Sequence, residues 1–130
     1  MVFKKEAFIL IWSGNPDKLK DFYNDVLELE QTDKLELPDD YGYEFKIAET
    51  SHLWIGLHSE IKGKNKDPKR IMHNLYTDEV EKWYNKVKDA GCEILAEPFL
   101  APFSTKEKGI YVSTFLDPEG NCWQFMGKLK

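Results

Sequence analysis

A stretch of ten residues occurs twice in this chain. Asp17-Lys18-Leu19-Lys20-Asp21-Phe22-Tyr23-Asn24-Asp25-Val26 and Asp78-Glu79-Val80-Glu81-Lys82-Trp83-Tyr84-Asn85-Lys86-Val87 align without a gap. Asp, Tyr, Asn and Val recur as identities, Leu faces Val, and Phe faces Trp. The two copies stand about half the chain apart, a spacing that fits two copies of one supersecondary unit and not a solenoid of three or more shorter repeats. With 130 residues, the two halves are expected to form one domain around a shared core.

Each copy reads as a strand followed by a helix. Phe8 to Trp12 is a short apolar run, and Ser13-Gly14-Asn15-Pro16 breaks it with an N-cap candidate and a proline suited to a first helical turn. Leu19, Phe22, Tyr23, Val26 and Leu27 then recur at i, i+3, i+4, i+7 and i+8, the stripe of an amphipathic helix. In the second copy Ile71 to Tyr76 is the strand, Thr77 or Asp78 the cap, and Val80, Trp83, Tyr84 and Val87 the stripe, ended by Gly91.

Three strand-like runs follow each helix. Lys34 to Leu37, Tyr43 to Ile47 and Leu53 to Leu57 are separated by turn residues, which predicts a meander. Glu93 to Leu95, Ile110 to Leu116 and Cys122 to Met126 match them, with Asp117-Pro118-Glu119-Gly120-Asn121 as a reverse turn before the last strand. The expected fold is α+β: a first βαβββ module over 1–60 and a second over 70–130.

Composition narrows the function classes. A net charge of −5 argues against sequence-independent nucleic-acid binding, which needs a basic patch. The basic run Lys62 to Arg70 falls between the copies, where a solvated linker is expected. No segment has the length and apolarity of a membrane span or of a signal-peptide core, and Cys92 and Cys122 read as reduced thiols, which predicts a cytoplasmic protein. The aromatic share of 14% is high enough to furnish a pocket as well as a core.

Two βαβββ modules, Phe22-Tyr23 in the first helix, Asp78-Glu79-Val80 opening the second and the Asp117 to Asn121 turn together resemble the vicinal oxygen chelate superfamily of glyoxalase I, bleomycin resistance proteins and extradiol dioxygenases. The resemblance covers essentially the whole chain. It implies a single glyoxalase/bleomycin-resistance-like domain over 1–130, its mixed curved sheet wrapped around a cleft with helices outside, and it implies a homodimer. In metal-dependent members the cleft holds one divalent ion on the first and last strands of each module. Aligning the two copies places those positions at Phe8, Ile55, Met72 and Gln124. Only the glutamine offers a donor to such an ion, and a one-residue shift would add only His73, on the opposite strand face. No metal or other cofactor is expected.

Strand alternation then lines the cleft with Phe8, Leu10 and Trp12, with Leu53, Ile55 and Leu57, with Met72, Asn74 and Tyr76, and with Cys122, Gln124 and Met126. Asn74, Tyr76 and Gln124 are the polar groups that could orient a ligand. His73 alternates to the helix side and reads as a core histidine. His52 and His58, six places apart on one strand, are separated by roughly 20 Å and cannot share an ion. Glu44 is expected on the cleft side, next to Lys46. Glu97 to Phe103 reads as a loop whose Phe99 and Phe103 cover the cleft mouth or a dimer partner.

The leading reading is a metal-independent protein that binds a small aromatic or cationic organic molecule. Two others stand beside it: a metal-dependent glyoxalase-type lyase or dioxygenase, and a non-catalytic interaction domain with a collapsed cleft. No catalytic residue is assigned.

Overall fold

The computed structural model describes residues 2–4 and 6–130. The chain divides into two compact units, one ending at Gly63 and the other beginning at Lys64. Each is a βαβββ module.

The first unit contains β1 (Ala7–Ser13), α1 (Pro16–Asp21), β2 (Glu30–Leu37), β3 (Asp40–Ala48) and β4 (Ser51–Leu57). Its four-stranded sheet has the order β1-β4-β3-β2, with β1 parallel to β4 and the other pairs antiparallel. The second unit repeats this with β5 (Met72–Tyr76), α2 (Val80–Asp89), β6 (Ile94–Leu100), β7 (Tyr111–Leu116) and β8 (Cys122–Gly127), in the order β5-β8-β7-β6. The fold is α+β, as the duplication predicts.

Both helices start and stop for identifiable reasons. Asn15 caps α1, its Oδ1 accepting the N–H of Lys18, and Pro16 follows at a position that needs no hydrogen bond. Beyond Asp21 the helix widens into a π-helical turn, Phe22–Val26, where the Leu27 N–H reaches back to the Phe22 carbonyl. Of the predicted stripe Leu19, Phe22, Tyr23 and Leu27 are buried and Val26 is half-buried.

In α2 neither Thr77 nor Asp78 is the cap. The N-cap is Glu79, and it makes no side-chain capping bond. The N–H groups of Val80 and Glu81 are instead taken by the carbonyls of Lys128 and Leu129, so the segment after β8 closes the helix start. Gly91, at φ +88°, follows the helix end.

Each helix packs on one face of its own sheet. In the first unit that face carries Ile11, Tyr43, Phe45, Leu53 and Ile55, all buried. In the second it carries Phe115, Trp123 and Phe125 beneath Val80, Tyr84 and Val87. The register β1 to β4 pairs Ile9 with Leu53 and Ile11 with Ile55. A one-residue slip of β4 would lift Leu53 and Ile55 off the helix, at about 1.5–3 kcal/mol for each side chain.

The structure moves one predicted loop. Glu97 to Leu100 belongs to β6, an edge strand, and the irregularity between Ala96 and Phe99 accommodates Pro98 there without a central ladder bond. The Asp117 turn forms as expected: Asp117 Oδ1 accepts the N–H groups of Glu119 and Asn121, Oδ2 accepts Asn121 Nδ2, and Gly120 takes φ +82°. Among the described residues no helix is long and apolar enough to cross a membrane.

Candidate functional site on the helix-free sheet faces

Most of the sequence-predicted site residues fall on the face of each sheet turned away from its own helix. In the first unit, pairing puts Phe8 beside His52, Leu10 beside Trp54 and Trp12 beside Gly56, while β3 contributes Gly42, Glu44 and Lys46. Ile55 is not among them. It shares the helix side with Leu53, is fully buried, and leaves Trp54 as the counterpart of Gln124. Leu57 also falls in register on the helix side, opposite Ser13.

Two glycines make room for an aromatic floor. A Cβ at Gly56 would run into Trp54 Nε1, and would meet Trp12 Cζ3 at 2.6 Å. A Cβ at Gly42 would meet Trp54 Cζ2 at 2.7 Å. The Trp54 indole therefore lies across the backbone of β3 and β4, which only glycine at both places allows. Trp12 remains 39% exposed beside it, and His58 meets Trp12 edge-on at 5.8 Å. Farther along β1, Phe8 stacks on His52 with centroids 4.9 Å apart and an interplanar angle of 18°.

Glu44 stands beside these rings, with Asp33 of β2 paired across from it and Glu30 paired across from Lys46. Glu44 Oε2 accepts the Thr32 hydroxyl at 2.6 Å and lies 3.9 Å from His52 Nδ1. These neighbours replace the expected Lys46. His52 Nδ1 is shut off from solvent and has no hydrogen-bond partner among the described residues.

In the second unit Met72, Asn74 and Tyr76 share the helix-free face with Cys122, Gln124 and Met126. Met72 and Tyr76 are exposed, Gln124 and Met126 half-buried, and Cys122 buried. Asn74 Nδ2 lies 3.7 Å from Met126 Sδ. Phe99 pairs across from Val112 on this sheet, and Phe103 lies beyond the strand end; both are exposed. His73 falls on the other side, its ring 4.9 Å from that of Trp123, and burial holds its pKa below the ordinary imidazole value against a weaker opposing pull from Asp117.

Burial acts on both thiols, Cys92 half-buried and Cys122 buried. Burial pushes Cys92 up to about 11, with Asp117 adding to the effect, and raises Cys122 as well. Among the described residues no cluster of three or more His, Cys, Asp or Glu side chains could hold a metal ion. With Trp54 in place of the expected Ile55, the four positions are Phe8, Trp54, Met72 and Gln124, a set with one oxygen donor that does not fit a divalent ion.

Sequence comparison decides the family. Residues 7–125 match the profile of the Glyoxalase/Bleomycin resistance protein/Dioxygenase superfamily. The chain belongs to that superfamily. Solved structures agree on the fold. A superfamily member from Sphaerobacter thermophilus is similar at TM-score 0.76 and 16% identity, over 97% of this chain and 98% of that one. A glyoxalase family protein from Enterococcus faecalis is similar at TM-score 0.74 and 19% identity, over 97% and 99%. A glyoxalase I variant from Zea mays is similar at TM-score 0.74 and 13% identity, over 97% of this chain but 45% of the maize chain. None of the curated proteins matches the sequence.

The facing of Trp54 is not fixed by local sequence. Leu53 to Leu57 is apolar on both faces, so alternation alone does not choose between them. Of the two glycines that make room for the indole, only Gly56 falls inside a predicted strand; Gly42 falls in a predicted turn and joins β3 in the structure.

Proposed function

We propose that this superfamily member binds a small, planar aromatic or cationic organic molecule without the help of a divalent metal. The observation that carries the reading is the Trp54 indole laid over Gly42 and Gly56, next to an exposed Trp12 and the Phe8–His52 stack. Such a surface offers ring stacking to a flat ligand and cation-π attraction to a positive one. The net charge of −5 favours the cation.

The helix-free face of the second sheet supplies Met72, Asn74, Tyr76, Phe99 and Gln124, with Phe103 nearby, as further candidate contacts. Asn74 and Gln124 are its orienting amides. The alternative, a lyase or dioxygenase working through an ion that polarises vicinal oxygens, finds one oxygen donor in four positions. We derive no step through such an ion.

A thermal-shift screen of planar aromatics and aromatic amines tests the proposal. Binders are expected to raise the melting temperature of the wild-type protein, as any ligand specific to the folded state does. Trp12→Ala and Trp54→Ala are expected to abolish the shift. Hits that stabilise both variants as much as wild type would refute the assignment.

A further inference from the structure

Glu44 is a carboxylate flanked by Trp54 on β4 and Asp33 on β2, with one of its oxygens held. Its side chain is 24% exposed, Thr32 donates to Oε2, and His52 Nδ1 faces the same oxygen at 3.9 Å. Among the described residues Oε1 has no hydrogen-bond partner. The register places Trp54 directly across from Glu44.

An ammonium group at Oε1 would make a charge-assisted bond in a partly shielded place, while an attached ring would reach the Trp54 indole on the neighbouring strand. Phe8 fixes the His52 ring by stacking, and the solvent-excluded Nδ1 faces Glu44 Oε2. The 3.9 Å separation is not a hydrogen bond; an N–H at Nδ1, donated once the ring and carboxylate close to hydrogen-bond length, would satisfy this nitrogen and keep the carboxylate from turning away. The geometry points to Glu44 as the anionic anchor of the first sheet's site, with Thr32 and His52 as positioning residues. The ligand class is an organic cation: a protonated amine carried on a planar aromatic body.

This inference rests on the aromatic-face reading and narrows it, so the experiment separates the two. Three probes share one ring and differ in charge: 1-naphthylmethylammonium, 1-naphthylmethanol and 1-naphthoate. Calorimetric titration of the intact protein is expected to show the ammonium binding about tenfold or more tightly than the alcohol, and the carboxylate weakest. Glu44→Gln keeps the shape and an acceptor for Thr32, and is expected to bring the ammonium down to the level of the alcohol while leaving the alcohol unchanged. Thr32→Val, which frees the carboxylate, is expected to lose part of the same preference, and thermal unfolding shows that both variants are folded.

Equal binding of all three probes, abolished by Trp54→Ala, would overturn the anchor and leave the aromatic face standing. A preference for the ammonium that survives Glu44→Gln would overturn the anchor as well. Failure of all three probes to bind at millimolar concentration would overturn both.

Discussion

At the scale of single residues, the structure turns on where side chains are forbidden. Gly127 lies at φ +150° and a Cβ there would strike the Thr77 carbonyl, next to the backbone bond from the Thr77 N–H to the Met126 carbonyl. Gly127→Ala is expected to destabilise the fold by about 2–3 kcal/mol in urea unfolding. Asp17 gives a pH-dependent counterpart. Its Oδ1 accepts the hydroxyls of Tyr41 and Tyr43 at 2.5 Å each, and these bonds, Tyr41 first, hold its pKa below the ordinary 3.8. A lowered folded-state pKa means that this stabilisation is complete above the ordinary carboxylate value and is lost as pH falls through the lowered one. Unfolding of wild type and Asp17→Asn, compared from about pH 5 down to about pH 2, is expected to show a gap that is constant at the upper end and closes toward the lower. A gap independent of pH would contradict the pairing. This contact joins helix start to sheet through residues far apart in sequence, and no local pattern announced it.

At the scale of elements, most of the architecture was legible because it was written twice. Of the two predicted stripes Leu19, Phe22, Tyr23, Leu27, Val80, Tyr84 and Val87 are buried while Val26 and Trp83 are half-buried, and the Asp117 to Asn121 turn leads into β8. What escaped was decided by contacts between segments distant in the chain. Strand β4 is apolar on both sides, so its facing was set by packing under α1, which buries Ile55 and turns Trp54 the other way. Glu97 to Leu100 contains a proline and so read as a loop, yet an edge strand with an irregular register takes it. The cap of α2 lies far along the chain, in the carbonyls of Lys128 and Leu129. Removing residues 128–130 is therefore expected to cost about 1–2 kcal/mol, comparable to the loss of a good N-cap, and urea unfolding measures it. A truncated chain as stable as the full one would show that water replaces those carbonyls without loss.

At the scale of the whole molecule, duplication produced two sheets of one topology whose helix-free faces differ in chemistry. The first sets aromatic rings beside the held carboxylate of Glu44; the second mixes Met72, Tyr76 and Met126 with the amides of Asn74 and Gln124. Since Phe8, Trp54, Met72 and Gln124 provide one oxygen donor, protein purified without chelator is expected to carry well under one equivalent of Ni, Zn, Mn or Fe by elemental analysis, and EDTA is expected to leave its melting temperature unchanged. The most direct test of the account reads the four tryptophans separately. Trp12 and Trp54 belong to the helix-free face of the first sheet, whereas Trp83 lies on α2 and Trp123 is buried on the helix side of the second. Titrating ¹⁵N-labelled protein with 1-naphthylmethylammonium and following the indole N–H signals, the account predicts saturable shifts at Trp12 and Trp54 with Trp83 and Trp123 unmoved. Shifts confined to Trp83 and Trp123, or none at millimolar ligand, would contradict it.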